Sequence, residues 1–398
     1  MQHRIIVLGA GYAGAVAAGR LARRLRREDV AITLVNAEPD FVERVRMHQL
    51  AVGQELKARP FSEMFEGTGV ELKVAKVTGV DADRKTVTVD AGGTEELPYD
   101  TLVYALGSGW NTQGVPGVAE HAHDIAGRPG ALRLRERLAG LAAGEPVVVV
   151  GAGLTGLEAA TEIAEARPDL DVSLAARGEL GDWLSAKGRR HVRKVAGKLG
   201  ITVHEHTVVT AVEADRVTTA DGRTLPAAVT LWTAGFAVHP LARATALETT
   251  GTGQIVVDDT MRSVSHPDVY AVGDTALVMG PGDKPLRMSC ATGGPIAWQA
   301  ADSVAARLTG GKLPHVPLRY FNQCVSLGRK EGLIQYVTAD DSAVNAALTG
   351  RFAAFYKELV CKGAAWGVAN PTLGIPTRSR GVVAATPETS ATPLRPAA

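Results

Sequence analysis

The sequence predicts an α/β fold: two doubly wound parallel-sheet units followed by a smaller C-terminal α+β part. Three observations predict it. The chain opens RIIVLGAGYAG, where the apolar run Ile5–Leu8 leads into Gly9, Gly11 and Gly14 at G-x-G-x-x-G spacing. The pattern returns as VVVVGAGLTG, with Val147–Val150 leading into Gly151, Gly153 and Gly156. Two more apolar runs end at glycine, LVYALGS at 102–108 and VYAVGD at 269–274.

In the first unit Gly9 permits a tight turn, Gly11 lets the backbone approach a pyrophosphate, and Gly14 lets helix and strand pack closely. The helix from Ala13 to about Leu25 turns free N–H groups and a positive dipole end toward phosphates. The strand Ala31–Val35 completes the order of a Rossmann unit, so the reading is dinucleotide binding. Such units usually carry an acid after the second strand to bind ribose hydroxyls. Asn36 holds that place here, with Glu38 two residues later. Arg20, Arg23, Arg24, Arg26 and Arg27 read as a solvated helix face.

Phe41–Gln54 is a charged, aromatic connection, and Val70–Val80 with Thr86–Asp90 alternate like a small meander. Tyr99–Ser108 is a strand running into a glycine turn. Gly114–Gly117 reads as a linker and His121–Gly144 as mostly helix. After the second glycine set, short strands at Ile201–Val203, Thr207–Val212 and Arg216–Thr219 lead to the strand Val229–Phe236. Two dinucleotide sites in one chain suggest electron transfer between two bound cofactors. A helix is expected from Pro295 to Leu308, with Pro295 in its first turn. Leu313–Pro317 opens the C-terminal part, with strands Cys324–Gly328 and Leu333–Val337 and a helix Arg351–Cys361. From Gly381 the Pro, Thr, Ser and Ala content reads as a disordered tail.

The composition of the 398 residues, 45% hydrophobic and 21% charged, is that of a soluble globular chain of two or three domains. A formal net charge of +1 gives no reason to expect a nucleic-acid partner. The first strand begins near Met1 and leaves no room for a signal peptide, and no apolar run approaches the ~20 residues of a membrane span. Cys290, Cys324 and Cys361 show neither C-x-x-C nor metal spacing, so no metal is expected and free thiols are the reading.

Together GAGYAG at 9–14, LVYALGS at 102–108, GAGLTGLE at 151–158 and VYAVGD at 269–274 resemble the two-dinucleotide-binding-domain flavoproteins. Within them the chain looks most like type II NADH dehydrogenases and actinobacterial oxidoreductases akin to them, and SLGR at 326–329 supports this. The resemblance implies an FAD domain of 1–116 and 250–312, an inserted NAD(P)H domain of 117–249, a C-terminal interface domain of 313–380 and a tail of 381–398. It places Gly9, Gly11, Tyr12, Ala13, Gly14, Asn36, Glu38, Arg44, Ala105 and Gly107 on FAD. Gly273 and Asp274 hold the ribityl chain, and Pro295, Ile296 and Ala297 begin a helix facing the flavin. It places Gly151, Gly153, Leu154, Thr155, Gly156, Arg177, Ala234 and Gly235 on the nicotinamide coenzyme. Glu158, near both rings, is the catalytic candidate. Leu106 departs from the family, which usually has Thr there.

Hydride transfer from nicotinamide to flavin needs alignment more than acid–base groups. Disulfide reductases of this architecture also need a cysteine pair beside the flavin, and no cysteine precedes Cys290. The expected activity is therefore FAD-dependent NAD(P)H:acceptor oxidoreduction, quinone-reductase-like, with direct transfer to a small acceptor. The alternatives are a redox-sensing flavoprotein of the apoptosis-inducing-factor type and a ferredoxin or rubredoxin reductase. Ala176 followed by Arg177, where an NAD site carries an acid, leans the coenzyme toward NADPH over NADH. Arg44, Arg46 and His48 argue for a polar acceptor. Phe352, Phe355, Tyr356, Leu359 and Val360 form an apolar helical stripe, expected to be buried against the protein or in a homodimer. The protein is expected to be cytoplasmic, without stable membrane insertion.

Overall fold

The opening apolar run forms the central strand of a five-stranded parallel sheet. In the computed structural model, which describes residues 1–315, 317–374 and 378–383, the order is Val269–Ala271, Thr101–Tyr104, His3–Leu8, Val30–Asn36, Val70–Val74. Register aligns Ile5 with Ile32 on one side and with Thr101 on the other. Val269 pairs with Leu102 across 167 residues of chain, so the late strand returns to the sheet of the first. Strands covered on both faces are apolar throughout, and Ile5, Val7, Leu8, Leu102 and Val103 are buried.

The second glycine set nucleates a matching sheet, ordered Thr202–His204, Asp171–Ala175, Pro146–Val150, Val229–Trp232, Ala122–His123, again parallel. Ser108–Trp110 pairs antiparallel with Phe236–Val238 where the chain crosses between the two units. Each unit carries a three-stranded antiparallel meander, 76–98 on the first and 209–226 on the second. The expected meander strand Val70–Val80 is therefore two strands. Val70–Val74 is the parallel edge of the first sheet, and Lys76–Asp81 starts the meander.

Helix Tyr12–Arg24 follows the first glycine turn and packs beside helix Cys290–Leu308. Arg20 and Arg24 are not simply solvated, because both guanidiniums clamp Asp302 of the second helix at 2.6–2.8 Å. That second helix begins five residues before Pro295. Pro295 lies inside it, at the cost of one backbone hydrogen bond.

The C-terminal part is a three-stranded antiparallel sheet, Asn322–Ser326, Gly332–Val337 and Ala343–Thr349, with helix Arg351–Ala369 packed on it. The strand Ala343–Thr349 escaped the sequence reading because AVNAALT offers small residues and little alternation. For the helical stripe, the expected burial against the protein itself is corrected. Phe352, Phe355, Leu359 and Trp366 are 55–65% exposed, so they cover neither the sheet nor the rest of the chain. The helix buries its opposite face, with Ala353, Cys361, Ala365 and Val368 inside. Among the described residues no helix is long and apolar enough to cross a membrane.

Gly381–Val383, assigned to the tail, run along the first unit. Val382 N–H donates to Asp29 and Val383 N–H to the Leu308 carbonyl at 2.9 Å. The rest of the expected tail, 384–398, lies outside the described residues.

Sterics separate two glycines of one motif. A Cβ on Gly14 would lie 1.8 Å from the Gly9 carbonyl oxygen, whereas a Cβ on Gly11 would meet nothing within 4 Å. Gly14→Ala is expected to cost about 1–3 kcal/mol and lower the thermal midpoint by several degrees. Gly11→Ala should leave the midpoint of the ligand-free protein within a degree or two. Parallel thermal melts of the two variants check this.

Candidate active site

Both glycine turns sit at the C-terminal edges of their sheets and open into one cleft of about 1030 Å³. The motif glycines divide their work. Gly9 (φ +88°) and Gly14 close the first turn, since a Cβ on Gly9 would sit 2.4 Å from the Ala105 oxygen. Gly156 does the same in the second, where a Cβ would lie 1.7 Å from the Gly151 oxygen. These three pack and do not line the cleft. Gly11 and Gly153 face it with open space, which is the room a phosphate requires.

Around the first turn, Ala10, Tyr12, Ala13, Ala105 and Gly107 line the cleft. The Asn36 amide is engaged locally. Its Oδ1 accepts from Ala10 N–H at 2.9 Å and its Nδ2 donates to the Glu38 carbonyl at 2.8 Å. It therefore holds the loop, and Glu38 presents the carboxylate at the strand end. Gly273 (φ +71°) turns Asp274 into the cleft, where its carboxylate accepts from Ser108 Oγ at 2.5 Å. Arg44 approaches Asp274 at 3.6 Å, donates to the Ser108 carbonyl at 2.7 Å and lies over the Phe236 ring. Burial lowers the Arg44 pKa, with Asp274 opposing. Its Nη2 and the Tyr12 hydroxyl are buried without a partner among the described residues, donors that a polar group in the cleft would satisfy.

Around the second turn, Gly151, Leu154, Thr155, Ala234 and Gly235 line the cleft. Arg177, exposed at the end of strand Asp171–Ala175, lines its rim and makes no ion pair among the described residues.

The same cleft is lined by a buried polar knot. Glu158 Oε1 meets Lys357 Nζ at 3.0 Å, with side chains only 11% and 15% exposed. Ser326 donates its N–H to the same oxygen at 3.0 Å and its hydroxyl at 3.2 Å. His48 Nε2 stands 3.5 Å from that hydroxyl, and Lys357 also donates to the Cys324 carbonyl at 3.1 Å. Burial works to raise the Glu158 pKa, but Lys357, His48 and the Ser326 N–H bring it below the usual carboxylate value. Burial likewise opposes the Lys357 charge, yet Glu158 leaves its pKa raised. Burial drives His48 down to about 4, so the imidazole is neutral near pH 7.

Three expected residues are elsewhere. Ile296 and Ala297 lie in the core and Pro295 within its helix. That end of the cleft is formed instead by Arg287, Met288, Ser289, Cys290 and Gly293. Arg46 turns away to Glu43 and Glu358, at 3.1 and 2.9 Å. The sequence reading missed Lys357, Ser326 and Cys290. Lys357 left one signal, a cation among the apolar residues of its helix. Cys290 left none.

The chain belongs to the pyridine nucleotide-disulphide oxidoreductase family, whose sequence profile matches residues 3–304, and is an oxidoreductase. It is 30% identical over 350 residues to an NADH dehydrogenase-like protein of Mycobacterium tuberculosis, covering 82% of this chain and 86% of the relative. It is 28% identical over 324 residues to a type II NADH:quinone oxidoreductase of the same species, covering 70% and 67%. The structure of NDH2 from Plasmodium falciparum in complex with NADH shares the fold, with a TM-score of 0.78 at 15% identity over 94% of this chain and 97% of that one.

His48 gives the knot a pH signature. Between about pH 6.5 and 4 the unfolded chain protonates His48 while the folded chain does not, so stability falls as pH drops through that window. The contribution is at most about 3 kcal/mol. Thermal melts at pH 7.0 and 5.0 should show a smaller loss in His48→Gln than in the wild type.

Proposed function

We propose that the chain is an FAD-dependent NAD(P)H:acceptor oxidoreductase that reduces a small quinone-type acceptor directly, without a redox disulfide. The observation that carries this is one cleft: two dinucleotide turns open into it, and a buried carboxylate–ammonium pair lines it. Gly11, Glu38, Arg44 and Asp274 would hold FAD, and the unpartnered Arg44 Nη2 and Tyr12 hydroxyl fit a polar ligand there. FAD, when bound, supplies hydride acceptance and electron release. The chain's own residues bind, orient and exclude water: the turns fix two ligands in one cleft, and the knot keeps Glu158 and Lys357 charged at its floor. The quinone-type acceptor is supported by the relative described as a type II NADH:quinone oxidoreductase.

The purified protein is expected to carry a yellow flavin and to oxidise NAD(P)H with a menadione-type quinone at about 1–10³ per second. A colourless protein, or turnover far below that range with every quinone offered, overturns the proposal.

The coenzyme reading is NADPH. Ala176 cannot accept from a ribose 2′-hydroxyl, whereas Arg177, unpaired at the rim, suits a 2′-phosphate. Arg177→Ala is expected to raise KM for NADPH about tenfold, or 1.4 kcal/mol, and to leave KM for NADH within about twofold. Steady-state kinetics with both coenzymes check it.

A further inference from the structure

The arginine run at the end of helix Tyr12–Arg24 is only partly accounted for by Asp302, which pairs with Arg20 and Arg24. Arg23, Arg26 and Arg27 line a second cavity, of about 450 Å³, together with Glu28, Thr68 and Ser379. The helix has 13 residues, so at 1.5 Å per residue about 20 Å separates this cavity from the turn at Gly11. Two remote stretches of chain build its walls. Leu25, the C-cap of the helix, bridges in parallel to Arg380. Arg26 N–H donates to the Arg380 carbonyl at 3.0 Å and Arg380 N–H to the Arg24 carbonyl at 2.9 Å, which brings Ser379 to the cavity. On the other side Arg27 lies against the bare backbone of Gly69, where a Cβ would clash with its Nε, and donates to the Gly67 carbonyl at 3.4 Å. Arg23 donates to the Thr372 carbonyl at 3.1 Å. Two of the three guanidiniums are therefore held in place by backbone.

Their charge is not matched. The partners of Arg23 and Arg27 are carbonyls, and no carboxylate pairs with Arg23, Arg26 or Arg27 among the described residues. Asp29, close by in the chain, accepts from Val382 N–H instead. A helix C-terminus offers about half a negative charge, and Glu28 brings one more. Against three guanidiniums this leaves roughly one and a half positive charges without a counter-charge. Like charges held together in this way repel and cost stability unless an anion joins them.

We propose that this cavity binds a small oligophosphate: a pyrophosphate group, free or carried by a nucleotide. Guanidinium forks match phosphate oxygens in geometry, and pairs of charged partners make the stronger hydrogen bonds. The volume falls within the ~300–1,000 Å³ of sites that hold whole small molecules, which favours a linked phosphate pair over a single tetrahedral ion. The site is concave and the chain carries a formal net charge of +1, so a long polyanion such as RNA finds no extended basic surface to follow. The cavity lies apart from the cleft, and its ligand is an addition to the two dinucleotides proposed there.

The test is calorimetric titration of the flavin-loaded protein with pyrophosphate and with ADP, in the presence of saturating oxidised coenzyme so that both glycine turns are occupied. One pyrophosphate should bind per chain. Arg26→Gln/Arg27→Gln, in which both exposed side chains lose their charge, should weaken it about 100-fold. Lys187→Gln/Arg190→Gln removes the same charge from exposed positions of helix Ala186–Lys198 and should leave the affinity within about twofold. Pyrophosphate at 100 times its Kd should raise the thermal midpoint of the wild type by a few degrees and leave that of Arg26→Gln/Arg27→Gln unchanged. If ADP binds this site more tightly than pyrophosphate, the ligand is a nucleotide; if the two bind equally, the phosphate pair alone is read. No binding of either probe, an equal loss in both double variants, binding abolished by 150 mM NaCl, or displacement of pyrophosphate by an RNA oligomer overturns the proposal.

Discussion

The ion pair between Glu158 and Lys357 is the constraint on which the arrangement depends. Two charges withdrawn from water cost several kcal/mol each unless geometry and hydrogen bonds offset the loss. The offset here comes from different stretches of chain. Glu158 stands on the helix of the second glycine turn, Lys357 on the C-terminal helix, and Ser326 and Cys324 on a C-terminal strand. His48 reaches in from the first unit. None of these segments satisfies the pair alone, so the pair is stable only when all are docked. The same requirement closes that part of the cleft wall, which keeps the local dielectric low around the pair.

The glycine turns impose the second constraint, a steric one. Gly14 and Gly156 admit no side chain because each helix starts against the carbonyl of its own turn, below van der Waals distance for any Cβ. Gly11 and Gly153 tolerate a Cβ in the empty cleft and are small for the sake of what enters it. One motif thus carries two separate demands, one on packing and one on ligand room. Only the first is needed for the chain to fold.

This division explains what was legible in the sequence. The parallel sheets were legible because a strand covered on both faces is apolar throughout and glycine spacing follows directly from sterics, as at Ile5–Gly14 and Val147–Gly156. Asp274 and Glu158 drew notice through the motifs that carry them, VYAVGD and GAGLTGLE, and the resemblance alone suggested their roles. Lys357 and Ser326 were not, because their partner lies some 200 and 170 positions away and no local pattern records it. The start of helix Cys290–Leu308 was misplaced because Pro295 resembles a first-turn residue, while the earlier turn is held locally: Gly293 N–H donates to the Ser289 carbonyl and the Thr292 hydroxyl to the Arg287 carbonyl. The stripe of helix Arg351–Ala369 was read correctly as a stripe, and of its two expected covers the rest of the chain is not one. Periodicity states that a face is apolar and carries no information about what covers it.

The thiols illustrate how the same ion pair selects among chemistries. Three cysteines remote in sequence come within electrostatic reach of Lys357, and Cys290 lines the cleft itself. A thiol relay needs a thiolate, which a neighbouring ammonium ordinarily stabilises. Lys357 is the ammonium in reach, and its charge is matched by Glu158 at 3.0 Å. Burial accordingly outweighs it: the Cys290 and Cys324 thiols are shifted upward, and Cys361 reaches about 11. The cluster is thus electrostatically arranged for an ionised carboxylate and neutral thiols. None of the three thiols is activated, which is the setting that the proposed direct reduction of a small acceptor calls for and a disulfide relay does not.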